Sequence, residues 1–431
     1  MNRLWNRFFL VFAALLLCSS YAHAQSPTGY KLSAINFTGL HRYSSEQAVD
    51  ASGLHVGESI TIGDLKTAAD RLSRAGAFDS VSFQYSSQGN SLTAQFGVTE
   101  TKDVLPCIFD NFIWFTNTEL DHAVRQRATF YTGESPVRGE SVEQIRSALQ
   151  DLLHANGISG DVGEIPYGQS GKVTGLLFHI DGISMPIKNI TFSGEAAVSG
   201  KQLSDASAGL RDQDFSVTNV ASYASAALLP LYYQRGYLKS QFGRANVSLI
   251  DAYSKGPVTN VSITLLVVEG SQYFWNEASW SGNQVLSSDE LAKLLDMNKQ
   301  DVANQEKINS GFAKARTAYR SRGYINVGIA PTRNLDDATK LASYAVEITE
   351  GSQFHMGQVY FDGLPGSAAG ALLKKWKLKS GDIYNASYPA DFLKNIASND
   401  LVQAGVKFQR IETKEEPDPN TLIVNLHIQF K

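Results

Sequence analysis

The groups with which this 431-residue chain could do chemistry are eight histidines, two cysteines, its carboxylates and one Gly-Lys pair, and their spacing matches no active-site pattern. His23, His41 and His55 stand too irregularly for the close pairs that hold a metal. No HExxH, paired CxxC, GxSxG or GxGxxG occurs. Gly171-Lys172 resembles a phosphate-cradling loop, but Val173 occupies the hydroxyl position and Pro166 that of the first glycine, so the pair reads as a turn. Glu415-Glu416-Pro417-Asp418-Pro419 reads as a solvated hairpin loop. Cys107 sits alone in Leu105–Phe109, with no base or cation beside it to make a thiolate, and reads as a small buried hydrophobe. Trp114, Phe115, Tyr232 and Tyr233 read as core or contacts between units. The chain is therefore read as a non-enzyme, with no catalytic, cofactor-binding or metal-binding residue expected.

The elements that would position any site are repeated. Aromatic-x-Gly strand ends recur about every 80 residues, at Gly39, Gly194, Gly282 and Gly363, with Phe109-Asp110-Asn111 as the second member. Asn111 tolerates a left-handed backbone nearly as well as glycine and is expected to keep the same turn. Helix ends marked by Gly76, Gly157, Gly236, Gly323 and Gly405 recur with a similar period, the third and fourth as Gly236-Tyr237 and Gly323-Tyr324. Glu100, Asp181, Glu269 and Glu350 close the first four units. Two independent landmarks with one period place five units at residues 29–101, 102–182, 183–270, 271–351 and 352–431.

Within the first unit, Leu32–Phe37 reads as a strand and Ser44-Ser45-Glu46-Gln47 as a capping box opening a short helix. Leu65, Ala68, Ala69 and Leu72 then fall on one helix face, and Val81–Tyr85 and Leu92–Val98 alternate as a hairpin. The grammar is β-α-α-β-β. Ser287-Ser288-Asp289-Glu290 repeats the capping box, and Pro230 is expected to bend or break the helix near Val217–Arg235. The fold class is α+β: a tandem array in which each unit is a three-stranded sheet with two helices on one face.

Residues 1–24 read as a secretory signal, with Arg3 and Arg7 before an apolar run and cleavage between Ala24 and Gln25. An uncleaved anchor and a lipoprotein signal ending at Cys18 remain open. The formal net charge of −4 argues against binding a nucleic-acid backbone, which needs clustered Lys and Arg.

The order and period of these marks, above all Gln234-Arg235-Gly236-Tyr237 with Val268-Glu269-Gly270 and Ser321-Arg322-Gly323-Tyr324 with Thr349-Glu350-Gly351, resemble the POTRA domain, the polypeptide-transport-associated module of the BamA superfamily. Five in a row resemble the periplasmic arm of that family without its β-barrel, since no barrel-type run of strands is read before Lys431. The resemblance implies a periplasmic protein of a Gram-negative bacterium, associated with the outer membrane through a partner. It also implies that the strand after the second helix binds unfolded outer-membrane clients or assembly proteins by β-augmentation. Here that strand would present Val81, Phe83 and Tyr85, then Tyr237, Lys239 and Gln241, then Ile325, Val327 and Ile329. Edges covered by neighbours or merely solvated remain the alternative reading. The competing function is that of a separated arm of a BamA-type transporter whose barrel is encoded elsewhere or lost.

Overall fold

A computed structural model describes residues 29–394 and 407–431, and the chain divides after Gly182 into two compact units. Ala24, Gln25 and Gly405 lie outside the described residues.

The first unit begins with β1 (Tyr30–Thr38), α1 (Ser45–Ser52), β2 (Ser59–Ile60), α2 (Ile62–Arg74), β3 (Phe78–Gln88) and β4 (Ser91–Glu100). The sheet order is β2-β1-β4-β3, with β1 and β4 parallel and the outer pairings antiparallel. Alternation decides the buried face: Leu92, Ala94, Phe96 and Val98 of β4 pack with Leu65, Ala68 and Leu72 of α2. A second sheet follows the same plan, from β5 (Val104–Phe109), α3 (Asn117–Arg125), β6 (Glu134–Pro136), α4 (Ser141–Ala155), β7 (Asp161–Gln169) and β8 (Lys172–Asp181), in the order β6-β5-β8-β7.

The second unit starts with β9 (Ile187–Ser193), α5 (Gly200–Ala206), α6 (Val217–Tyr223), α7 (Leu229–Tyr233), β10 (Gln241–Phe242), β11 (Asn246–Leu249) and β12 (Val261–Val268). The helix is not broken at Pro230: helical backbone continues from Val217 to Tyr233. The chain accommodates the proline with a π turn over Ala224–Leu228, which leaves Pro230 in the first turn of α7, where a missing N–H costs little. Next come β13 (Phe274–Ser281), α8 (Ser288–Leu295), α9 (Gln305–Arg320), β14 (Gly328–Asp336) and β15 (Leu341–Thr349), in the order β13-β15-β14. The last described sheet has β16 (His355–Asp362), α10 (Gly366–Lys375), α11 (Tyr388–Phe392), β17 (Ile411–Asp418) and β18 (Ile423–Phe430), in the order β16-β18-β17.

The result is a mixed α+β fold of several small sheets, each pairing its first and last strands in parallel. The expectation of three strands per sheet is too simple. β2 and β6 add a fourth strand beside β1 and β5, because the chain between the two helices returns along the free side of the first strand. Single bridges Pro186↔Asp214, Phe274↔Val302 and His355↔Ile383 mark the same return in the other sheets. One side of each sheet is thus guarded from within, and the other ends in β3, β7, β10 with β11, β14 or β17.

Capping explains where the helices start. Ser44 with Gln47 and Ser287 with Glu290 form the two anticipated boxes, and Thr61 with Asp64, Thr116 with Glu119 and Ser199 with Gln202 form three more. Asn111 departs from expectation: it is absent from the residues with positive φ. Its side chain instead accepts the Ile180 N–H at 2.7 Å and donates to the Ile180 carbonyl at 3.0 Å, fastening the end of β5 to β8.

Candidate functional site

The open sheet edges are the candidate site, and the anticipated residues divide between those edges and something else. Val81, Phe83 and Tyr85 lie on β3, paired with Val98, Phe96 and Ala94, so they share the helix-covered face while the strand's outer side has no paired strand among the described residues. Gln241 lies on β10 and Ile329 on β14. Tyr237, Lys239, Ile325 and Val327 are not strand residues; they lie in the turn between helix and strand, as does Asn326. The short apolar alternation there arises from helix capping and burial, which mimic a strand's period over a few residues.

That turn has a repeated geometry. Tyr324 N–H bonds to the Tyr319 carbonyl at 3.1 Å and Gly323 N–H to Arg320 at 3.3 Å; Tyr237 with Tyr232 and Gly236 with Tyr233 repeat the pair at 3.1 and 3.2 Å. These are Schellman caps, with Tyr319 and Tyr324 in edge-on contact at 6.3 Å. Gly323 has φ +85, and a Cβ there would lie 2.6 Å from the Phe354 carbonyl oxygen. The close approach exists because the Gly323 carbonyl accepts the Phe354 N–H at 2.9 Å, as the Gly236 carbonyl accepts that of Tyr273 at 2.8 Å. Gln353 and Gln272 donate to the Arg322 and Arg235 carbonyls at 3.0 and 2.9 Å.

Two residues past each glycine, an apolar side chain crosses into the next core. Leu238 is buried with Tyr273, Trp275 and Ala303 of the β13 sheet, and Ile325 with Phe354, Met356 and Tyr384 of the β16 sheet. Charges reinforce both contacts. Arg320 Nη2 bonds to the two carboxylate oxygens of Glu415 at 2.9 and 2.8 Å, its Nη1 to the Ile325 carbonyl at 2.7 Å, and Tyr384 Oη donates to Glu415 at 3.0 Å. Lys239 bonds to both Asp337 oxygens at 2.7 Å, and Tyr273 also donates to Asp337. Glu415 therefore sits in β17 and not in a solvated hairpin loop; sequence reading missed the pair because its members stand far apart in the chain.

The closing acids have a structural task. Glu350 accepts the N–H groups of Gln284 and Val285 at 2.7 and 2.8 Å and the Tyr319 hydroxyl at 2.9 Å. Glu269 accepts from Ala196 and Ala197, and Glu100 from His41, Arg42 and Tyr43. Each holds the loop after a first strand to the end of the last strand. Burial works against the charge on Glu100, but its three backbone donors and the Arg42 guanidinium outweigh it and hold the carboxyl below its ordinary range.

Burial, with Glu134 nearby, pushes the Cys107 thiol up to about 12, so it stays protonated at neutral pH. Ser170 and Gly171 form the turn between β7 and β8 with φ of 52 and 79, a backbone suited to a tight hairpin. Among the described residues no helix is long and apolar enough to cross a membrane.

Residues 273–351 match the POTRA family, surface antigen variable number repeat. The chain is 25% identical over 220 residues to a Treponema pallidum protein named for outer membrane protein assembly, covering 50% of this chain and 26% of that one. It is 20% identical over 388 residues to the outer membrane protein assembly factor BamA of Buchnera aphidicola, covering 88% and 61%. The crystal structure of Haemophilus influenzae BamA POTRA3-5 aligns with a TM-score of 0.44 at 23% identity, covering 57% of this chain and 96% of that one. The chain thus spans less than two thirds of the length of either named sequence relative.

Proposed function

We propose, from the premise that this is a POTRA-containing chain related to outer-membrane protein assembly factors, that it serves outer-membrane protein assembly or transport as a periplasmic scaffold. In this reading it binds unfolded clients or partner proteins by β-augmentation, and the five segments 29–101, 102–182, 183–270, 271–351 and 352–431 are POTRA-like domains. The observation that carries it is the recurrence of a small sheet whose one side is closed by the returning chain while the other ends in an open edge, a single strand in four of the described sheets and the short pair β10 and β11 in the remaining one. Such an edge offers unpaired N–H and C=O groups, so affinity depends little on client sequence.

A second reading, favoured by the greater length of the relatives, is that the segment works as the arm of a BamA-type transporter. Titration of the chain with peptides copied from barrel strands, against shuffled peptides of equal composition, tests the scaffold reading. Saturable binding that prefers strand-patterned peptides supports it, and no binding by either contradicts it. Copurification with a heat-modifiable membrane protein that survives salt washing distinguishes the arm.

A further inference from the structure

Between the helices of the first two sheets lies a cavity of about 280 Å³. α1, α2 and the end of α2 supply Ala51, Arg71, Arg74 and Ala75 to its wall, and the second sheet's helices and the turn before β6 supply Thr129, Phe130, Glu140 and Gln144. No lining residue belongs to a strand, so whatever the cavity holds is independent of the open edges.

The polar groups of this wall are donors short of acceptors. Arg71 Nη1 donates to the Ser52 carbonyl at 3.3 Å, and a Cβ on Gly53 would collide with the guanidinium, so the end of α1 fixes where that group stands. Among the described residues no carboxylate pairs with Arg71, whereas Arg125, Arg146 and Arg320 each grip one. The Arg74 guanidinium meets Glu140 alone, at 3.4 Å, and the Gln144 amide and Thr129 hydroxyl have no protein partner among the described residues. The last turn of α2 favours cations, but that preference does not require both arginines to line one cavity.

Charge and shape then select the occupant. Two guanidiniums against one carboxylate leave the wall with a single positive charge in excess, which suits a monoanion, and a planar guanidinium fork matches a carboxylate. Ala51, Ala75 and Phe130 supply an apolar surface for a short stem. The volume lies at or below the lower end of ordinary ligand pockets, about 300 Å³, and so takes one side chain or one small acid. We infer that the cavity is a carboxylate-binding site, with Arg71 as its principal ligand and Arg74 and Gln144 as supporting donors. Its occupant is one carboxylate on a short apolar stem, either an acidic side chain of a peptide or a small free acid. Because the walls come from both sheets, the occupant also ties the second sheet to the first.

The test is an NMR titration of the arginine Nε–H signals of the chain with sodium butyrate, and with a blocked pentapeptide whose only charge is one glutamate, each against sodium chloride at equal ionic strength. Saturable shifts at Arg71 and Arg74 with either carboxylate, absent with chloride, are expected, and the probe that saturates at the lower concentration identifies the source. Arg71→Gln should weaken binding about tenfold or more. Arg71→Lys, which keeps the charge and loses the fork, should weaken it less. Glu140→Gln should strengthen it about threefold by removing the opposing carboxylate. Arg71 and Glu140 are exposed, so these variants should fold, and unchanged thermal melting checks that they do. Shifts that never saturate, or that chloride reproduces, mean an adventitious ion only and overturn the site. Binding unchanged by Arg71→Gln, or weakened by Glu140→Gln, overturns it as well, and leaves the scaffold reading untouched.

Discussion

The residues after Gly76 and those after Gly323 look alike as sequence and are put to opposite uses. After Gly76 the strand begins at Phe78, and Val81, Phe83 and Tyr85 form an open edge. After Gly323 the strand begins only at Gly328; Ile325 and Val327 are spent first, one joining the core of the β16 sheet and the other that of the β13 sheet. The difference teaches that an apolar residue just past a helix-capping glycine is a connector before it is a strand residue. A stretch can serve as a docking edge only where the strand outlasts that connection.

Breaking the connector at its tightest point should have the largest effect. Gly323→Val is expected to cost about 3 kcal/mol in denaturant unfolding of the β13–β18 region, through a left-handed φ that valine resists and contact with the Phe354 carbonyl. Gly89→Ala, also at positive φ but with nothing within 4 Å, should cost only about 1 kcal/mol. Equal losses would show that the contact with Phe354 is irrelevant. Ile325→Ala should follow, at about 2–4 kcal/mol for a deleted core side chain, whereas Val81→Ala on the open edge should cost under about 1 kcal/mol. Were the two alike, the contrast between connector and edge would fail. Arg320→Ala should cost about 1–2 kcal/mol by leaving partly covered Glu415 without its cation, and a double-mutant cycle with Glu415→Gln should recover coupling between them.

Smaller still is an effect of pH. Because Glu100 is held below its ordinary value of 4.5, it adds stability above that pH, and the contribution disappears as pH falls through the lowered value. Glu100→Gln should therefore show a shallower loss of melting temperature between about pH 5 and pH 3 than the parent chain. A parallel pair of curves would mean that the carboxylate contributes nothing through its charge.

The same contrast separates what the sequence disclosed from what it concealed. Period-two rows such as Leu92–Val98, the Ser44 and Ser287 capping boxes and the glycines at positive φ were legible because each is local, a matter of residues within one turn or one strand. Strand starts at Tyr237 and Ile325 were misplaced because capping and burial briefly imitate alternation. Asn111 was misread because its solution is a side-chain bond to Ile180, a partner distant in the chain. The Arg320–Glu415 pair and the return of β2 along β1 are likewise properties of the folded arrangement, invisible to spacing.

Site-specific photocrosslinking tests the central claim most directly: that the strand after Gly76 is a docking edge and the stretch after Gly323 a connector. With a photoreactive residue placed in turn at Gln84, Ser86, Asn326 and Val327 of the chain, a strand-patterned peptide should crosslink from Gln84 and Ser86 and not from Asn326 or Val327. Crosslinks from Asn326 and Val327 with none from Gln84 or Ser86 would contradict it.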